Sequence, residues 1–96
     1  MCQIESPVDV DYIEEEKKII VLDRWNCRIQ CFDLNGNFFW CLGEKGRKNL
    51  GKFSLPTSIS VFNQGIYVTD TDNHRIQLAL NRNFKISFPL SPARSE

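Results

Sequence analysis

A single histidine, His74, stands among the 96 residues, and that scarcity argues against catalysis that gathers several imidazoles. Twelve basic residues balance twelve acidic ones, so no overall field draws the chain toward nucleic acid or an anionic membrane. No apolar run approaches the roughly 20 residues that a membrane helix needs, and no membrane partner is expected. Met1-Cys2-Gln3-Ile4-Glu5-Ser6 lacks the basic start and apolar stretch of a secretory signal. The four cysteines then read as reduced thiols in a cytoplasmic protein. Cys27, Cys31 and Cys41 lack the close pairing of zinc ligands and have no fourth ligand nearby, so no metal and no other cofactor is expected. Gly43-Glu44-Lys45-Gly46 lacks the spacing and the Lys-Ser/Thr of a phosphate-binding loop. No Ser-His-Asp set or Cys-His pair is visible, and the chain is not expected to be an enzyme.

What the chain does contain is a repeat. Ile20-Val21-Leu22-Asp23-Arg24-Trp25-Asn26-Cys27-Arg28-Ile29-Gln30 returns as Tyr67-Val68-Thr69-Asp70-Thr71-Asp72-Asn73-His74-Arg75-Ile76-Gln77, at an offset of 47 residues. Six of the eleven columns are identical, and a proline, Pro7 or Pro56, opens each copy. A repeat of this length built from short apolar runs indicates blades of antiparallel strands.

In the first copy, strands are expected over 7–13, 19–22, 28–32 and 38–42. The charged run Glu14 to Lys18, the turn Asp23 to Asn26 and the hairpin signal Leu34-Asn35-Gly36-Asn37 separate them. In the second, the expected strands are 58–62, 66–68, 75–80 and 84–88. No helix is indicated. Asn26 suits a left-handed turn position. Residues 1–6 form a tail or the strand of a preceding blade, 7–55 the first blade, 56–88 the second, and 89–96 a polar tail.

The spacing Asp23-x4-Arg28, echoed by Asp70-x4-Arg75, lets a carboxylate and a guanidinium face each other across a four-residue turn and hold it. Recurrence at equivalent positions marks Asp23, Asn26, Arg28, Asp70, Asn73 and Arg75 as structural. Candidate binding residues lie where the copies differ. Trp25 occupies an inter-strand turn flanked by Arg24 and Arg28, where it is either an interaction anchor or a side chain tucked against the adjacent blade. Lys45, Arg47, Lys48 and Lys52 make the connector between the copies basic.

Val68-Thr69-Asp70-Thr71-Asp72-Asn73-His74-Arg75-Ile76-Gln77 resembles the core signature of the NHL repeat, and the first copy fits with Cys27 in place of His. Leu34 to Phe38, Gly43, Gly46, Gly51, Phe53 and Pro56 also match the family's turn and connector, so the resemblance covers about residues 7–88. The second copy departs at Ala79, at Asn81-Arg82-Asn83 where an Asn-Gly turn is expected, and at Phe88-Pro89. The resemblance implies an all-β fold of two four-stranded antiparallel blades of an NHL-type β-propeller, either partial or assembled by oligomerisation. Three copies of two blades would make a six-bladed ring.

The resemblance also implies an interaction module, a protein-binding scaffold like the substrate-recognition regions of RING and tripartite-motif ubiquitin ligases. The alternative is a surface that binds single-stranded RNA through Lys45, Arg47, Lys48 and Lys52, with Trp25 as a stacking group. A third implication, a fragment of a metal-dependent lyase-type propeller, requires histidines that this chain does not supply. Expected partners are therefore a protein first, RNA second, and further copies of the chain through open blade faces.

Overall fold

The computed structural model describes residues 3–47 and 49–89. In the first copy, β-branched and aromatic runs punctuated by turns give β1 (Pro7–Ile13), β2 (Lys18–Asp23), β3 (Arg28–Asp33) and β4 (Phe38–Leu42). They pair in sequence order as one antiparallel sheet. The connector contributes a short parallel pair, β5 (Glu44–Lys45) with β6 (Lys52–Phe53), where sequence patterning indicates only a loop. The second sheet holds β7 (Ser58–Phe62), β8 (Gly65–Asp70), β9 (Arg75–Leu80) and β10 (Asn83–Pro89), again antiparallel in sequence order. A single 3-10 turn at Thr71–Asn73 is the one departure from the all-β expectation among the described residues. The expected tail lies outside the described residues beyond Pro89, which ends β10.

Two blades form one core because each buries one face against the other. Ile20, Leu22, Ile29 and Cys31 of the first sheet meet Ile59, Ile66, Val68 and Ala79 of the second. Phe53, brought in by the connector, is fully buried and stacks edge-on against Phe84 with ring centroids 5.2 Å apart. Gly43 makes room for it. A Cβ there would run into the Phe53 ring, and its φ of +105° disfavours any other residue.

The alternation in β1 inverts the simple rule. Its aspartates point toward the second blade, while Val10 faces outward. Asp9 Oδ1 accepts from Val10 N and its Oδ2 from Ile59 N; Asp11 does the same with Tyr12 N and Val61 N. Two carboxylates thus act as rungs between the edges of β1 and β7, satisfying donors that an open sheet edge leaves bare.

Candidate functional site

The repeated Asp, Asn, Arg and Gln columns converge at the turn end of each blade. In the second, Asp70 is fully buried and accepts from Ser54 N, Asn73 Nδ2, Arg75 Nε and Gln77 Nε2 at 2.8, 2.9, 2.9 and 3.2 Å. Arg75 donates onward to the carbonyls of Asn49 and Lys52. Gln77 donates to Lys52 O and accepts from Gly51 N. Asn73 also donates to Gly46 O. The network therefore clamps the connector onto the blade by its backbone, which carries no side-chain information and explains why the columns recur.

The first copy corrects the expectation of a matching ion pair. Asp23 accepts from Glu5 N, Ser6 N and Asn26 Nδ2, not from Arg28. The Arg28 Nε is buried without a hydrogen bond, as is that of Arg24. Gln30 is fully buried, yet neither end of its amide has a partner. The partners of Arg75 and Gln77 come from residues 49–52, and the matching stretch here is the strap that begins near Gln3. Asn26 Nδ2 reaches Gln3 O and Arg24 N reaches Ser6 O, so the strap occupies the equivalent place without closing the clamp.

The left-handed position also differs from the expectation. Cys27 and His74 adopt it, with φ of 52° and 54°, while the adjacent Asn26 and Asn73 spend their amides on the aspartates.

Burial pushes the Asp23 carboxyl up, but the hydrogen bonds from Glu5, Ser6 and Asn26 together outweigh it and hold its pKa below the ordinary aspartate value. A depressed folded-state pKa means that the strap's stabilisation is complete above the unfolded value of about 3.9 and is lost as pH falls through the folded value. The amide signals of Glu5 and Ser6 are thus expected to move only below about pH 4. Movement between neutrality and that point would contradict the assignment.

The residues expected to bind lie mostly at this same turn end. Trp25 is 63% exposed. Lys45 and Arg47 are exposed, and Lys48 lies outside the described residues. Lys52 is not free for a ligand, because its Nζ pairs with Glu44 at 3.0 Å. A small recess beside Arg47 is lined by Asp72, Asn73, His74 and Arg75.

The more developed concavity lies at the opposite, hairpin end and was missed by sequence reasoning. A cleft of about 510 Å³ opens between the blades, with Phe39 and Trp40 on one wall, Val61 and Ile66 on the other, and Glu15, Glu16, Lys18 and Arg82 around it. Arg82 sits over the Trp40 ring at 5.7 Å and Lys18 over Phe39 at 4.2 Å. Arg82 belongs to a two-residue hairpin turn in which Asn81 and Arg82 both have positive φ, 50° and 63°. Such turns favour Asn-Gly, so an arginine there is locally strained. That departure from Asn-Gly was the one signal in the sequence that could have found the cleft. Cys31, on the wall of the first blade behind Trp40, has its thiol pushed up to about 11, chiefly by burial, and stays protonated at neutral pH. Among the described residues, no three His, Cys, Asp or Glu side chains group as metal ligands would.

Stacked four-stranded blades joined by a backbone clamp define a propeller-type repeat module. Residues 53–77 match the family profile described as NHL repeat. No curated protein matches the chain. Repeats of this kind in general mediate interactions, and the match supports a repeat-type interaction module.

Proposed function

We infer that this module binds a protein partner by taking a peptide segment into the inter-blade cleft. The carrying observation is the Phe39–Trp40 wall, with Phe39 53% exposed and a strained arginine held over Trp40. Aromatic surface rimmed by both signs of charge suits a segment with an apolar anchor and flanking polar residues. On this reading the module serves a longer assembly as NHL-type regions serve RING and tripartite-motif ubiquitin ligases, by holding the protein to be modified. Its place is the cytoplasm, where buried Cys27 and Cys31 stay reduced.

Selection of a displayed peptide library against the chain tests this. A consensus containing an apolar or aromatic anchor is expected, with its binding weakened about tenfold by Phe39→Ala. Arg82→Gly is expected to weaken it similarly while leaving the fold as stable or more so, because glycine relieves the turn. Failure to enrich any consensus, or binding indifferent to both substitutions, would remove the cleft from the account.

RNA binding at the turn end is a second reading, supported by the exposed Trp25 and the exposed Lys45 and Arg47 at the same end. Glu44 and Asp72 dilute that positive surface. A filter-binding titration decides it: no retention of single-stranded RNA at low salt would rule it out.

A further inference from the structure

The two blades are equivalent units, yet each meets the other with a different face. The first offers the face of Asp9, Leu22, Ile29 and Cys31; the second offers the face of Val68, Gln77 and Ala79. Strand pairing shows which face of each blade is turned away from the other among the described residues. On the first blade it is the row Val10, Val21, Gln30, which is the repeat mate of Ile59, Val68, Gln77. On the second blade it is the surface of Ser60, Tyr67, Leu78 and of Ser58, Thr69, Ile76. That surface is the repeat mate of the first blade's buried face. Each uncovered face therefore has the form that the other already accepts within the chain.

We propose that the open face of blade 1 docks the open face of blade 2 of a second copy, head to tail. Three observations converge on a second copy as the occupant. The joint repeats the interface that already joins the blades, by the same pair of equivalent faces. Val10 is 59% exposed at the centre of the edge strand, and Phe62 and Phe88 are exposed on the opposing face. The Gln30 amide, fully buried and unpaired, lies beneath this face, whereas Gln77 closes its clamp where blade 1 covers the connector. Covering the Gln3–Ser6 strap in the same way seats its backbone on Gln30 and Arg28.

The contact is heterologous, so every copy keeps one donor and one acceptor face until a ring closes. Ser58 and Ser60 stand where Asp9 and Asp11 supply the carboxylate rungs, so this joint rests on apolar contact and is weaker than the one within the chain.

Sedimentation velocity of the full chain over roughly 5 to 300 µM tests the proposal. Mass is expected to rise with concentration beyond a dimer, and the Gln30 side-chain amide resonances are expected to shift with it. Val10→Asp spoils one face and Tyr67→Asp the other, and circular dichroism confirms that each variant is folded. Each alone is expected to be monomeric. Their mixture is expected to form a 1:1 pair and nothing larger, since one good face of each kind survives. A wild-type chain that stays monomeric throughout, a variant that still associates alone, or a mixture that fails to pair would overturn the proposal.

Discussion

Asp70→Ala is expected to cost about 3 to 5 kcal/mol, a large part of the stability of a domain this small. The carboxylate accepts from four groups, and its removal takes the ion pair of 2.9 Å from the Arg75 guanidinium, which is 8% exposed. Arg75 and Gln77, which hold the Lys52 carbonyl, also lose the acceptor that orients them. The same substitution at the equivalent Asp23 is expected to cost only about 1 to 2 kcal/mol. Asp23 holds two backbone amides of the strap and one side-chain amide, and no cation depends on it. Urea denaturation of the two variants side by side measures the gap. Equal losses would mean that the two turns are energetically alike, contrary to the geometry.

The second large effect concerns the joint between the blades. Asp9→Ala combined with Asp11→Ala removes both rungs and leaves the amides of Val10, Tyr12, Ile59 and Val61 without their acceptors. Charge-assisted hydrogen bonds of this kind contribute about 1.5 to 3 kcal/mol each, so loss of the two that cross between the blades is expected to cost the double variant about 3 to 6 kcal/mol. The shared core of Ile20, Leu22 and Ile29 against Ile59, Ile66 and Val68 should then loosen, with amide exchange in β7 rising to that of an edge strand. Asn at both positions should recover part of the loss, because one carboxamide oxygen still accepts. Unchanged exchange in β7 would show that apolar contact alone joins the blades.

Much of this fold is legible in the sequence because blades are local objects. The expected strands 7–13, 58–62 and 75–80 coincide with β1, β7 and β9, since alternation and turn chemistry act over a few residues. What escaped depends on distance. Arg28 and Arg75 share a column, but Arg75 reaches the carbonyls of Asn49 and Lys52 in the segment before its blade, whereas the Nε of Arg28 is buried without a hydrogen bond. Turn chemistry suits Asn26 to the left-handed position, but the buried Asp23 claims its side chain and the next residue, Cys27, takes the positive φ. The cleft joins Trp40 to Arg82 across two blades, and no local pattern announces such a pair. Arg82 in a turn suited to glycine was its visible trace.

The candidate binding residues are those at which the copies differ. Trp25, Lys45 and Arg47 lie at an exposed end, while Lys52 is tied to Glu44. Asp23, Asn26, Asp70, Asn73 and Arg75 sit inside the turn networks. Arg28 lies beside one without a bond from its Nε.

The central claim is that one scaffold is built twice and clamped once. Leucine substituted for each of the two repeat-equivalent glutamines, followed by urea denaturation of the monomer, tests it most directly. Gln77→Leu is expected to lose about 3 kcal/mol, because Gly51 N and Lys52 O lose their partner and the Asp70 network loses a donor. Gln30→Leu is expected to gain about 1 kcal/mol, because it replaces a buried amide that has no partner. Opposite signs at equivalent positions are the predicted result, and comparable losses at both would contradict the account.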